Sequence, residues 1–180
     1  GGEKDRWGQA SAARGGTVVI ITGDVMIASG VVSYMGPFTA VFRDQEVAEW
    51  IEKCNAMKIP CSGIFSLVDT LGEPVKIRQW NIDGLPKDTF SIDNGIITSM
   101  ARRWPLMIDP QGQALNWIRE REKERMPHFG TTTLNEPKLK DFLEFAMAEG
   151  QALLIINVEE TIDPMLDPLL DKAFVKKGKK

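Results

Sequence analysis

Residues 104–112 read Trp-Pro-Leu-Met-Ile-Asp-Pro-Gln-Gly, so a short apolar run passes directly into a turn. The apolar run predicts a buried strand, and the Asp-Pro step after it predicts the turn that ends the strand. A helix from about Leu115 to Arg125 is expected next, because its Arg, Glu and Lys residues fall at exposed helical spacing. A strand, a glycine-containing turn and a helix in this order mark the place where α/β proteins put a mononucleotide site.

The alternation of strand and helix continues downstream. Residues 130–134 predict a second strand, and residues 152–156 predict a third. Between them lies an apolar stripe at the i, i+3, i+4, i+7 spacing of a helix: Leu139, Phe142, Leu143 and Ala146. Strands that alternate with helices pair in parallel through right-handed crossovers. The sequence therefore predicts a three-layer α/β core with a parallel sheet.

The first third of the chain predicts helices. Asp24 is a candidate N-cap for a helix that the Gly-Pro step at 36–37 ends. A second helix is expected over residues 39–55, where the apolar stripe favours core packing over a ligand site. The β-branched run 18–21 is compatible with either a strand or a helix, because paired glycines precede it.

Residues 56–88 contain many Pro, Gly and Asp residues, which typically mark turns and the ends of helices and strands. This composition predicts a boundary region between the helical first third and the α/β part. Within the region, residues 75–80 predict a short helix that carries Trp80 inward.

Length and composition bound the class of protein. The 180 residues suit one domain with a buried core, or one domain plus a helical extension from a neighbour. Hydrophobic residues make up 43% and charged residues 26%, as in an ordinary globular protein. The net charge of −3 argues against a nucleic-acid partner. The basic run 176–180 is more simply a solvated chain end than a binding site.

No membrane partner is expected. Residues 17–38 are the most apolar stretch, but Asp24 and several glycines interrupt them. The chain starts at Gly1 without a basic-then-apolar leader, so we expect no signal peptide and a piece of a longer protein.

The cysteines indicate a reducing environment. Cys54 and Cys61 are the only two, which is too few for a disulfide scaffold. Together with His128 they have no spacing typical of a zinc site, so no metal is expected.

The turn after the first predicted strand departs from an ATP-binding loop. The motif G-x-x-x-x-G-K-[ST] needs glycines for close backbone approach, a lysine for the β and γ phosphates and a hydroxyl on Mg²⁺. Eight residues stand at that position: Asp109, Pro110, Gln111, Gly112, Gln113, Ala114, Leu115 and Asn116. Asp109 and Ala114 replace the two motif glycines. Leu115 replaces the lysine and Asn116 the hydroxyl residue, so the loop is degenerate.

These replacements predict a site without catalysis. Asp109 adds negative charge beside a triphosphate, and Leu115 puts an apolar chain where a cation is needed. The acidic pair that would ligate Mg²⁺ and orient water is missing, because the third predicted strand leads into Asn157. We interpret the following Glu159 and Glu160 as surface or contact residues. No catalytic residue, metal or cofactor is predicted for this chain itself.

Four longer stretches carry a family resemblance: residues 23–38, residues 80–86 (Trp-Asn-Ile-Asp-Gly-Leu-Pro), residues 91–97 (Ser-Ile-Asp-Asn-Gly-Ile-Ile) and residues 103–111 (Arg-Trp-Pro-Leu-Met-Ile-Asp-Pro-Gln). In this order they resemble the motor region of dynein heavy chains, around the fifth AAA+ module of the ring. Asn157 and residues 160–168 look like the second strand-and-turn signature of the same module. The resemblance covers roughly residues 20 to 178. Four long stretches in the same order are far more specific than one loop motif.

The resemblance implies a fold, partners and a location. Residues 1–55 would be the helical end of the preceding AAA+ small subdomain. Residues 56–180 would be a P-loop-NTPase-like AAA+ large subdomain, incomplete at its C-terminus. The implied partners are neighbouring AAA+ modules, the microtubule through the stalk, and dynein intermediate and light chains. ATP and Mg²⁺ would be bound by other modules of the motor. The implied location is the cytoplasm and cytoskeleton, in the axoneme of a cilium or flagellum.

Three functions remain open at this point. The leading hypothesis is a structural, force-relaying module that does not hydrolyse ATP. The alternative is a regulatory module that holds ADP or ATP without turnover. A small-molecule kinase or another P-loop enzyme is the third, and the missing lysine argues against it. Residues 160–179 favour an axonemal heavy chain of the outer-arm type.

Overall fold

The structure, a computed structural model, describes residues 20–128 and 130–173. The described residues divide into two compact units, one of residues 20–81 with 86–101 and one of residues 82–85 with those beyond 101. The basic run 176–180 and residues 18–19 of the β-branched run lie outside the described residues. The sequence analysis predicts a boundary near residue 55 between subdomains of two neighbouring modules. This boundary stays a prediction.

The first unit is built from five helices, the fourth of which ends one residue beyond it. They are α1 (20–34), α2 (Ala40–Ala56), α3 (Leu67–Leu71), α4 (Pro74–Ile82) and α5 (Thr89–Met100). The predicted helices over 39–55 and 75–80 are confirmed as α2 and α4, and Trp80 is buried. Helix α5 passes through Asp93 and Gly95, where no helix was predicted. The Asp88 side chain caps its start by accepting a hydrogen bond from the Ser91 N–H.

Helix α1 corrects the prediction for Asp24. The chain is already helical at residue 20, so Asp24 lies inside the helix and is not its N-cap. Its carboxylate instead accepts hydrogen bonds from the backbone N–H and the hydroxyl of Ser62, over 2.7 and 2.6 Å. Four hydrophobic side chains of this helix and its end are buried: Ile27, Ala28, Val31 and Met35. The helix stops at residue 34, just before the Gly-Pro step as predicted.

The second unit contains the sheet and its flanking helices. They are α6 (Gln113–Glu122), β1 (Thr131–Thr133), α7 (Leu139–Glu149), β2 (Leu154–Ile156), a 3₁₀ turn (Pro164–Leu166) and α8 (Asp167–Leu170). Strands β1 and β2 pair in parallel, with Thr132 opposite Ile155. Leu139, Leu143 and Leu166 form the buried cluster beside them. The prediction of an α/β fold with parallel strands joined through a helix is confirmed.

The prediction of a first strand over residues 104–108 is wrong, because the structure has no strand there. Leu106 is 71% exposed and Ile108 is 87% exposed, and no ladder bond joins this run to β1 or β2. A buried strand needs a hydrogen-bonded neighbour on its flank, and the described sheet has two strands, already paired with each other. The Trp104 indole N–H instead donates to the Leu169 carbonyl over 2.9 Å, which fixes the run beside α8.

None of the helices in the described ranges combines the length and the apolar character that a membrane span requires.

Candidate phosphate-loop site

Hydrogen bonds within residues 109–116 occupy backbone N–H groups of the loop and of the first turn of α6. The carboxylate Oδ2 of Asp109 accepts a hydrogen bond from the Leu115 backbone N–H over 2.9 Å. The Gly112 N–H donates to the Asp109 carbonyl, and the Asn116 N–H donates to the Gly112 carbonyl over 3.1 Å. An amide of the first turn of α6, one of those that a phosphate would approach, is therefore already bound to a protein carboxylate.

Gly112 is the N-cap residue of α6 and has a φ of 73° in the left-handed region. A Cβ at this position would meet no atom within 4 Å, so the glycine is needed for its backbone conformation rather than for space. The Gln113 side-chain amide donates to the Gln111 side-chain oxygen over 3.2 Å, across the turn. The predicted turn before the helix is thus present, and its role as a degenerate nucleotide-binding loop stays a prediction.

The remaining loop residues differ in exposure. Pro110 and Asn116 are exposed, and Ala114 and Leu115 are half-buried. Leu115, at the position where a lysine would reach for phosphate, is therefore only partly accessible to solvent.

Asn157 stands directly after β2 and has a φ of 54°, a conformation that Asn adopts more readily than most residues. It is exposed, as are Glu159 and Glu160. Within the described chain, no hydrogen bond joins Asn157 to the loop 109–116. The structure thus forms the turn over residues 109–112 and places Asn157 directly after β2, and the described residues show no hydrogen bond between the two.

Helix α6 is held in place by contacts along its length. Trp117 is buried on its inner side, and the Arg121 guanidinium lies 5.3 Å from the centre of the Trp117 ring. Arg119 donates to the Thr131 hydroxyl on β1 over 3.3 Å. Beyond the helix, the Ala152 N–H donates to the Arg125 carbonyl over 2.9 Å. Helix α6, which begins in the loop, is therefore linked to β1 by one side-chain hydrogen bond.

A buried arginine in the first unit was not predicted. Arg43 on α2 is 5% exposed, and its guanidinium donates to the carbonyls of Phe38 and Gly36 and to the side-chain oxygen of Asn94. It also lies 4.5 Å from the centre of the Phe90 ring. Sequence reasoning missed it because a charged residue outside an apolar stripe is normally placed on the solvent face.

The carboxyl group of Asp93 lies close enough to Arg43 to interact with its charge. Burial raises the pKa of Asp93 to about 6; the attraction of Arg43 opposes this shift, and the repulsion of Asp44 adds to it. Its Oδ1 and the Arg43 Nη1 are buried and make no hydrogen bond within the described chain. Among the residues that the structure describes, no three His, Cys, Asp or Glu side chains are grouped as a metal site would need.

The fold and loop define a P-loop-like α/β module, and comparison with known families narrows this class. Residues 78–180 match the family described as the ATP-binding dynein motor region. Since the match covers more than half of the sequence, the chain belongs to this dynein motor family. The resemblance to dynein heavy chains inferred from the sequence is confirmed.

Relatives with known names agree with this assignment. The chain is 48% identical to dynein axonemal heavy chain 3 of Mus musculus, over 98% of the chain and 4% of the relative. It is 39% identical to the dynein-1-beta heavy chain of the flagellar inner arm I1 complex of Chlamydomonas reinhardtii, again over 98% and 4%. It is 38% identical to the flagellar outer-arm dynein gamma chain of the same organism, over 99% and 4%.

The chain thus spans about 4% of the length of the relatives it matches. Their names support an axonemal type of heavy chain. Because both inner-arm and outer-arm chains match, the outer-arm assignment stays a prediction.

Proposed function

We propose that this chain is a non-hydrolysing, force-relaying module of an axonemal dynein heavy chain, part of an ATP-driven microtubule motor. The observation that carries the proposal is the 2.9 Å hydrogen bond from the Leu115 N–H to the Asp109 carboxylate. A protein anion occupies an amide that phosphate would use, and Leu115 supplies no cation to offset it.

The repulsion between the Asp109 carboxylate and the phosphates of ATP is large enough to prevent binding. Two like unit charges 4 Å apart repel by about 1 kcal/mol in water and by about 4 kcal/mol near a protein surface. A triphosphate carries several such charges. Without a lysine, the turn amides alone must offset this repulsion, and we expect that they do not.

The relay function requires a body that moves as a whole. Within the first unit, Arg43 joins the turn between α1 and α2 to α5 through three hydrogen bonds and a ring contact. In the second unit, α6 is joined to β1 by Arg119. Elements tied in this way transmit a displacement instead of absorbing it. The partners would be neighbouring AAA+ modules, the microtubule through the stalk, and the intermediate and light chains, in the axoneme of a cilium or flagellum.

The experiment is calorimetric titration of Mg-ATP and Mg-ADP into the 180-residue chain, after circular dichroism and a cooperative melt have established that it is folded. We expect no binding and no phosphate release. The double variant Asp109→Gly with Leu115→Lys restores a turn glycine and the cation, and it should bind measurably. A matched variant, Leu115→Met, changes the shape of the side chain without adding charge and should stay inert. ATP turnover by the native chain would overturn the proposal.

A regulatory module that holds nucleotide without turnover is the second candidate, and the left-handed turn at Gly112 favours it. Backbone amides at a helix N-terminus bind phosphate even without a lysine. Micromolar binding of Mg-ADP that Gly112→Val abolishes, with no phosphate release, would select this function over the first.

A further inference from the structure

The first unit carries two cysteines on either side of a chain reversal. Cys54 lies in the last turn of α2 and is 2% exposed, whereas Cys61 is half-buried and follows seven positions later. The chain between them reverses through Lys58, whose φ is 58°, and the Ile59 N–H donates back to the Cys54 carbonyl over 2.8 Å. The reversal turns the 59–61 segment back toward the end of α2, and Cys54 is one of the neighbouring groups that raise the pKa of the Cys61 thiol.

Helix α1 holds Cys61 from another side. The Gly23 N–H donates to the Pro60 carbonyl over 3.1 Å, and a Cβ at Gly23 would stand 2.6 Å from the Cys61 Cβ. The Asp24 carboxylate binds both the backbone N–H and the hydroxyl of Ser62. Hydrogen bonds therefore fix the backbone at Cys54 and on both sides of Cys61, so a link between the two residues requires little further ordering of the chain.

We propose that Cys54 and Cys61 are a reversible disulfide pair, oxidised by a peroxide and reduced by a dithiol. In the first step, the Cys61 thiolate attacks one peroxide oxygen; the O–O bond breaks, the other oxygen leaves as water after taking a proton, and Cys61 becomes a sulfenic acid. In the second step, the Cys54 sulfur attacks the sulfenic sulfur, and the hydroxyl leaves as a second water with the Cys54 proton. A dithiol reverses the reaction by thiol–disulfide exchange.

The order of the two cysteines follows from their exposure. Cys61 is the more accessible and reacts first, and the buried Cys54 resolves the sulfenic acid. Burial raises the pKa of the Cys61 thiol, and the neighbouring Cys54 and Asp24 raise it further, so only a small fraction is thiolate at neutral pH. The pair is accordingly a slow responder to sustained oxidant rather than a fast peroxide scavenger. The bond would tie the end of α2 to the 59–62 segment and, through Gly23 and Asp24, to α1.

The test uses the 180-residue chain, treated with hydrogen peroxide while folded and analysed by thiol titration and intact mass. These two cysteines are the only ones in the sequence, so every lost thiol is assigned. We expect both thiols to disappear together, a monomer lighter by two hydrogen atoms, and a higher melting temperature, all reversed by dithiothreitol. Peptide mapping of the native chain should recover the 54–61 link without any substitution.

Matched variants separate a pair from two independent thiols. Cys54→Ser should leave Cys61 to proceed to sulfinic acid or to intermolecular dimers, and Cys61→Ser should leave Cys54 unreacted over the same time. Addition of oxygen to the native chain without the linked peptide would overturn the proposal. So would formation of the link only after denaturation, because the fold would then not be positioning the thiols.

Discussion

The Arg43 guanidinium donates a hydrogen bond of 2.8 Å to the side-chain oxygen of Asn94, 51 positions further along the chain. The same Nη2 reaches the Gly36 carbonyl at 2.9 Å, and Nε reaches the Phe38 carbonyl at 3.0 Å. One planar side chain therefore satisfies the turn between α1 and α2 and anchors that turn to α5. Only a guanidinium presents donors in this fixed arrangement.

Replacing Arg43 should destabilise the first unit strongly. Arg43→Met fills a similar volume but leaves the Gly36 and Phe38 carbonyls and the Asn94 oxygen without their donor. We expect the free energy of unfolding in urea to fall by about 2 to 4 kcal/mol. Arg78→Met on the exposed face of α4 is the matched control, with an expected change within about 0.5 kcal/mol. Equal losses in the two variants would show that the Arg43 contacts contribute nothing specific.

The raised pKa of Asp93 predicts a dependence of stability on pH. Its pKa is about 6 in the folded chain, against 3.8 for the ordinary carboxyl. The folded state therefore holds the proton more tightly, and this contribution is full below about pH 4 and lost as the pH rises through about 6. Relative to Asp93→Asn, the native chain should lose about 1 to 3 kcal/mol of unfolding free energy between about pH 4 and about pH 7. A constant difference between the two unfolding curves would contradict the prediction.

Gly23 should tolerate no side chain. A Cβ there would stand 2.4 Å from the Pro60 carbonyl oxygen, so Gly23→Ala must displace the 59–62 segment or bend α1. The gain in helix propensity, about 1 kcal/mol, works against this strain. We expect a net loss of about 1 to 3 kcal/mol in thermal or urea unfolding. Gly36→Ala, where a Cβ meets nothing within 4 Å, is the control and should stay close to the native value.

The Asp109 carboxylate should stabilise the start of α6. Asp109→Ala removes the acceptor of the Leu115 N–H, and the loss of such a bond at a helix N-terminus costs about 0.5 to 2 kcal/mol. Amide exchange at Leu115 should become faster while that at Trp117, in the next turn, changes less. Asp109→Asn keeps an acceptor oxygen without the charge and should recover part of the loss. Unchanged exchange at Leu115 would mean that this hydrogen bond is not populated in solution.

The sequence predicted correctly the helices and strands that depend on residues close together in the chain. Helix α2 began after Thr39 and β1 and β2 fell inside their predicted runs, because periodicity and turn residues act over a few positions. The run 104–108 failed because an apolar pentapeptide becomes a strand only beside another strand, and that depends on the rest of the sheet.

The charged residues show the same limit. Asp24 before an apolar helix face has the pattern of an N-cap, but its carboxylate binds Ser62, 38 positions away. The loop residues 109–116 were located correctly as a turn leading into a helix. The Asp109–Leu115 bond was not predicted, because the sequence indicates a charge at that place without indicating which amide it faces.

The three-pair ladder between β1 and β2 has a kinetic consequence. The connection between Thr131 and Leu154 contains α7. The two ends of this connection must meet before any hydrogen bond between the strands can form. Three residue pairs return little free energy for that closure, and most of it must come from Leu139 and Leu143 of α7 packing against Leu166. We therefore expect the ladder to form late in folding. Its amides should open to solvent whenever that leucine cluster separates, well before the chain unfolds as a whole.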